Sequence, residues 1–136
     1  FKLNRIIVHT RDFVLSLLKP KYGITPETEQ YALLFGAAVA ATRATTGRFG
    51  SLDDVQETLA NPALHLSQIG LTQHLDLAKK LEQIGVTTSE RFLKTGIAKS
   101  DEYSIIYIPT KATDHPVSTV GLGDCITAGI LVGETE

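Results

Sequence analysis

Ser118-Thr119-Val120-Gly121-Leu122-Gly123-Asp124 sets two glycines and a carboxylate between a polar connection and an apolar helical pattern carried by Ile126, Ala128, Ile130 and Leu131. A helix opening here leaves its first-turn amides without intrahelical partners, and the aligned peptide dipoles place partial positive charge on them, which makes the motif a candidate anion site. Gly121 and Gly123 allow positive backbone angles and let the main chain approach a ligand closely. Asp124 adds a carboxylate that could take the proton of an attacking hydroxyl. Phosphoryl transfer asks for little more, because alignment and electrostatic stabilisation carry most of its catalysis. The plainer reading of Gly-x-Gly-Asp is a tight turn with Asp124 capping the last helix.

Upstream of the motif, Tyr103 to Ile108 is rich in β-branched and aromatic residues and is closed by Pro109, which predicts a strand. The polar stretch Thr110 to Pro116 connects it to the motif. At the other end of the chain, Arg5-Ile6-Ile7-Val8-His9-Thr10 reads as a buried strand ending in two polar groups, and ligands of open parallel sheets bind beyond such carboxyl ends. Thr25-Pro26-Glu27 predicts a helix start, with a hydroxyl cap, proline in the first turn and Glu27 and Glu29 near the positive dipole end. Tyr31, Leu34, Phe35 and Ala38 repeat at helical spacing, the surrounding alanines permit close packing, and Gly47 and Gly50 stop the helix. Ser51-Leu52-Asp53-Asp54 predicts a second helix ended by Asn61-Pro62, and Leu71, Leu75, Ala78 and Leu81 a third. Residues 87–101 show no regular pattern.

With 136 residues, 43% hydrophobic and 21% charged, the chain has the make-up of one globular domain and not of a disordered segment. A formal charge of -2 provides no footprint for nucleic acid or an anionic membrane. The longest apolar run, Tyr31 to Ala41, falls short of the roughly 20 residues a membrane span requires. The single cysteine, Cys125, fits a reducing compartment, so a cytoplasmic location is expected. The chain has no methionine and opens on Phe1, and we expect it to be the C-terminal portion of a longer polypeptide.

The segment Pro116 to Asp124 resembles the signature of the ADP-dependent sugar kinases, a branch of the ribokinase-like superfamily. Arg5 to Thr10 resembles that family's strand ahead of the nucleotide pocket. Ala32-Leu33-Leu34-Phe35-Gly36-Ala37 with Thr42-Arg43-Ala44 is similar to its helix over the same pocket, and Tyr107-Ile108-Pro109-Thr110-Lys111 to its strand and turn before the signature. Leu122 and Ser118 differ from the alanine and acidic residue common in ATP-using relatives and favour the ADP branch.

The resemblance implies an α/β fold, a ribokinase-like three-layer α/β/α sandwich, with residues 1–136 the C-terminal part of the large nucleotide-binding domain and the upstream part and lid outside it. It implies transfer of the terminal phosphoryl group of ADP to fructose 6-phosphate or glucose, leaving AMP and a sugar phosphate, in archaeal sugar metabolism. Asp124 would be the base, and the amides of Gly121, Leu122 and Gly123 would stabilise the transferring group. Thr119, Val120, Gly121 and Gly123 would line the nucleotide side, with His9 and Thr10 beside them. Magnesium is expected, held by residues upstream of this chain, so the chain alone is expected to be inactive. Two other readings stay open: an ATP-dependent ribokinase-like kinase for a sugar or nucleoside, and a nucleotide-binding module without catalysis.

Other reactive residues read as structural. His65, His74 and His115 lack the spacing of a zinc site and read as surface histidines. Cys125 reads as a small packed side chain, although a helix start can activate a thiol. Arg43 and Arg48 read as solvent-facing, and Lys111, close to the signature, as a phosphate-reaching candidate.

Overall fold

Val14, Ser16 and Leu18 turn to one side of a strand and Phe13, Leu15 and Leu17 to the other, and both sides meet apolar partners. In the computed structural model, which describes residues 2–136, this strand lies inside a four-stranded sheet. The elements run β1 (Arg5–His9), β2 (Phe13–Leu18), a short 3-10 turn, α1 (Pro26–Thr46), α2 (Leu52–Ala60), β3 (His65–Leu66), α3 (Gln68–Gln83), α4 (Ser89–Thr95), β4 (Ile97–Lys99), β5 (Ser104–Pro109), β6 (Lys111–Ala112) and α5 (Leu122–Gly133). The sheet order is β1-β2-β5-β4, and β3 and β6 form a separate two-stranded ribbon.

The helices cover both sheet faces. Val14, Leu18, Ile106 and Ile108 pack on Ala32, Leu33 and Ala40 of α1 and on Cys125, Ile126 and Ile130 of α5. On the opposite face Ile105 and Tyr107 meet Ala78 and Leu81 of α3 and Phe92 of α4. This is the three-layer α/β/α arrangement expected, with one correction: every pairing within the sheet is antiparallel. A second correction concerns β1, which is an edge strand with half-buried and exposed residues and no fully buried position.

Helix α1 begins and ends where its cap residues place it. The Thr25 side chain accepts the Thr28 amide, and Gly47 closes the helix at φ 73 with its amide on the Arg43 carbonyl. Its buried face is not the expected apolar stripe. Tyr31 and Leu34 are half exposed, while Ala32, Leu33, Gly36 and Ala40 face inward. Close approach to α5 explains the preference for small residues. A Cβ on Gly36 would stand 2.6 Å from the Ile126 carbonyl oxygen, and one on Gly129 would stand 2.7 Å from the Gly36 Cα. The capping box of α2 forms as expected between Ser51 and Asp54.

A buried ionic knot ties the amino end of β1 to both helices. The Arg5 guanidinium donates to the Glu29 carboxylate through Nε at 2.9 Å and Nη2 at 2.6 Å, and to the Tyr22 hydroxyl at 2.8 Å. It also pairs with Glu134, just beyond α5. Glu29 is fully buried, so its role exceeds the dipole interaction its helix position suggested.

His74 is the third correction, since it is buried and not a surface histidine. Its ring stacks on Tyr107 at 4.7 Å and meets the edge of Phe92 at 5.0 Å. Desolvation holds its pKa below the usual histidine value, against an opposing hydrogen bond with the Phe92 backbone. Because the folded pKa is depressed, the unfolded chain binds the proton more readily. Stability is therefore complete above the unfolded value near 6.5 and declines as pH falls below it. Urea midpoints at pH 7.5 and 5.5 are expected to differ less for His74→Phe than for the native chain; equal differences would show that His74 does not contribute.

Candidate functional site

The carboxyl end of β1, the alanine side of α1, the β5–β6 turn and the start of α5 enclose a cavity of about 610 Å³. Four alanines of α1, Ala37, Ala40, Ala41 and Ala44, recur at one-turn spacing and make an apolar wall. Leu122 and Ile126 extend that wall on α5, and Thr110, Lys111, Ala112 and Thr113 stand along the cavity as well.

Its floor is held by a web of short bonds. The Thr10 hydroxyl accepts the amides of Asp12 and Phe13, closing the β1–β2 turn. Asp12 accepts the Ser67 hydroxyl at 2.6 Å, and its carbonyl accepts the Thr110 amide at 3.0 Å. The turn, the start of α3 and the end of β5 are thereby fixed together. Thr10 lines the cavity with its hydroxyl already engaged in the turn.

The glycine motif forms the α5 end of the cavity. Gly121 is the helix N-cap at φ 75, a left-handed angle that favours glycine, and it provides no side-chain bond to the amides that follow. Leu122, Gly123 and Asp124 are thus the first helical turn, and the helix opens at the glycines and not at Asp124. His9 approaches here: a Cβ on Gly123 would lie 3.1 Å from His9 Cε1, so a side chain at 123 would press on the imidazole.

Asp124 is exposed, follows directly on Gly123, and is not itself a cavity-lining residue. Thr119 lines the cavity, whereas Val120 is 78% exposed and stands outside the lining. The loop ahead of the motif is anchored to the end of α1, where the Ala44 carbonyl accepts the Val117 amide at 2.7 Å. His9, Thr10, Thr119, Gly123 and Leu122 are therefore brought together, with Gly121 and Asp124 beside them.

Several lining residues escaped the sequence reading. Arg11 and Asp114 face each other at 3.9 Å between the β1–β2 turn and the loop after β6, and both border the cavity. The i, i+3, i+4, i+7 alanines were the available signal for the wall, though close helix packing explained them equally well. Lys111 also lines the cavity, with its Nζ donating to the Leu59 carbonyl at 3.0 Å. Arg43 bonds the Gly47 carbonyl and covers the Phe49 ring at 4.8 Å, so it is a helix-end clasp and not a free surface cation. Cys125 is buried, and burial pushes its thiol pKa up, Arg43 opposing and Asp124 adding to the shift; the thiol is packed and unreactive in character.

Among the described residues no group of three or more His, Cys, Asp or Glu could hold a metal ion.

Layers, cavity and helix start together describe a ribokinase-like α/β module. The chain belongs to the family described as the ADP-specific phosphofructokinase/glucokinase conserved region, whose model matches residues 1–133. It is 34% identical over 132 residues to an ADP-dependent glucose/glucosamine kinase of Pyrococcus abyssi, a match that covers 97% of this chain and 25% of that protein. An ADP-specific phosphofructokinase of Methanosarcina acetivorans is 30% identical, with 96% of this chain and 26% of that protein covered. A solved ADP-dependent kinase in complex with fructose-6-phosphate and ADPβS superposes with a TM-score of 0.89 at 35% identity, covering 98% of this chain and 28% of that one. The chain thus spans about a quarter of the length of these relatives.

Proposed function

We propose that this chain forms the nucleotide side of the phosphoryl-transfer site of an ADP-dependent sugar kinase. The observation that carries the reading is a cavity of about 610 Å³ that ends on the capless start of α5, with the Asp124 carboxylate exposed beside it. The alanine wall suits the flat apolar faces of a purine, and the cavity volume lies within the range of small-molecule sites. His9, Thr10 and Thr119 border the nucleotide, and Val120, which is outside the cavity lining, is assigned to the phosphate side only as the residue preceding Gly121.

The amides of Gly121, Leu122 and Gly123 stabilise negative charge on the transferring group, aided by the helix dipole. The acceptor hydroxyl of fructose 6-phosphate or glucose attacks the terminal phosphorus of ADP. Its oxygen forms the new bond to phosphorus while the bond to the bridging oxygen breaks, and AMP departs with that electron pair. The hydroxyl proton passes to Asp124. Nucleotide phosphates need a divalent cation such as Mg2+ for charge neutralisation, and we assign its ligands to residues outside this chain. No helix among the described residues is long and apolar enough to cross a membrane; the cytoplasmic location proposed here is supported by the single cysteine.

The test is a donor comparison on the longer polypeptide that contains this chain. AMP and sugar phosphate are expected from ADP, with ATP at least tenfold poorer, while the 136-residue chain alone is expected to phosphorylate no sugar. Equal use of ATP would reassign the donor, and turnover by the isolated chain would contradict the partial-site reading.

A further inference from the structure

After Thr110 the chain leaves the four-stranded sheet. Lys111 and Ala112 pair with Leu66 and His65 in the separate ribbon of β6 and β3. That ribbon and the loop after it carry one border of the cavity, from Lys111 to Asp114, while His9, Thr10 and Arg11 at the carboxyl end of β1 make another. The angle at which the ribbon departs from the sheet therefore sets the separation of the two borders.

Ser67 is the corner of that departure. It follows β3 directly, caps α3 and is 6% exposed. Its amide donates to the Thr110 carbonyl at 2.9 Å, and its hydroxyl donates to Asp12 Oδ1 at 2.6 Å while accepting the Gly70 amide. The Asp12 carbonyl accepts the Thr110 amide, so Asp12, Ser67 and Thr110 close a ring of hydrogen bonds among three chain segments. Helix α3 lies on the sheet face opposite α1 and α5, so the ring braces the cavity from the far layer. Packing leaves little slack there. A Cβ on Gly70 would stand 2.1 Å from the Asp12 carbonyl oxygen, and the Tyr107 hydroxyl donates to the Gly70 carbonyl at 2.7 Å. The direct links across the mouth are weaker: Arg11 reaches the Thr113 carbonyl at 3.4 Å and Asp114 at 3.9 Å, and both charged side chains are 68% exposed.

We infer that Asp12 is a positioning residue for the nucleotide: its carboxylate, acting through Ser67, holds the ribbon border at the distance from the β1 border that the nucleotide requires. Neither Asp12 nor Ser67 lines the cavity, so the effect is transmitted through main-chain groups. The inference rests on the nucleotide reading of the cavity. It also separates binding from chemistry. The glycine motif is anchored to α1 through the bond between Val117 and Ala44 and makes no bond to the ring, so loss of the Asp12 carboxylate weakens nucleotide binding and leaves the transfer step intact.

The experiment uses the longer polypeptide that contains this chain and compares Asp12→Ala with Asp12→Asn. AMP is titrated by calorimetry, and KM for ADP and kcat are measured well below the melting temperature. Asp12→Ala is expected to bind AMP about fivefold to twentyfold more weakly and to raise KM for ADP in parallel, as loss of a bond to a charged group and misplacement of a binding surface imply. Its kcat should stay within about twofold of native. Asp12→Asn keeps an acceptor oxygen for the Ser67 hydroxyl and should restore AMP affinity to within about twofold of native. Ser67→Gly removes the donor at a cap position that tolerates glycine, and it reads the same loss of affinity if Asp12→Ala does not fold. A merely structural role would lower Tm without this split between binding and turnover or its rescue by asparagine. Native AMP affinity in Asp12→Ala or in Ser67→Gly, an Asp12→Asn enzyme as weak as Asp12→Ala, or a fall in kcat alone would each overturn the inference. If the native enzyme bound neither AMP nor ADP, the nucleotide reading would fall together with it, which distinguishes the two failures.

Discussion

Asp124→Asn in the complete enzyme is expected to lower kcat by about two to four powers of ten, the usual contribution of general-base assistance. The amide keeps the size of the carboxylate and removes its ability to accept the acceptor hydroxyl's proton. Asp124 is the third residue of α5 and is exposed, so the fold depends on it little. Loss of a first-turn carboxylate typically removes only about 0.3–1 kcal/mol of dipole stabilisation. Affinity for ADP should stay within about threefold, since the amides that hold phosphate are main-chain groups. Steady-state kinetics, a nucleotide titration and a thermal melt on the same preparation separate these effects. A kcat unchanged by the substitution would reduce Asp124 to an ordinary helix-start acid and remove the base from the mechanism.

Glu29→Ala is expected to destabilise the fold by about 3–5 kcal/mol, as is typical when one partner of a buried ion pair is deleted. Glu29 is fully buried and receives two bonds from Arg5, whose remaining partners, Tyr22 and Glu134, cannot fill the vacated volume. A domain of this size should lose roughly 10–20 °C in Tm. Arg5→Met combined with Glu29→Met should be far less harmful, because it removes the uncompensated charge along with the pair. A double-mutant cycle in urea reads the coupling. Independent, additive losses would mean that the two residues do not act as a pair.

Most cap signals in the sequence were read correctly, and pairing between distant segments was not. Thr25-Pro26 and Gly47 bracket α1, and Ser51 with Asp54 opens α2, because caps act within one turn of chain. The start of α5 at the glycine motif was visible for the same reason. Strand β2 was missed because both of its faces are covered, so it shows no alternation. In residues 87–101, α4 has a hydroxyl cap at Thr88 and a closing glycine at Gly96, but seven residues are too few to establish a period. The antiparallel order of the sheet depends on pairing between residues about 90 positions apart, such as Leu15 with Tyr107. His74 and Glu29 were misjudged on the same ground, since Tyr107 and Arg5 bury them from distant positions. The glycine motif and His9, Thr10 and Thr119 were legible as neighbours of one cavity and the helix of the alanine wall was flagged by resemblance, while the inward set Ala37, Ala40, Ala41 and Ala44 and the Arg11–Asp114 mouth required tertiary contacts.

The glycine-to-glycine crossing of α1 and α5 has a mechanical corollary. With Gly36 against Gly129 and Ala32 against Gly133, the two helices approach closely, and Ile130 and Val39 pack against the glycines so that neither helix can slide without disturbing them. Ala37, Ala40, Ala41 and Ala44 ride on one of these helices and Gly123 and Asp124 on the other. Any movement of this module must then carry the alanine wall of α1 and the first-turn amides of α5 as a single body, preserving the span of the cavity between them.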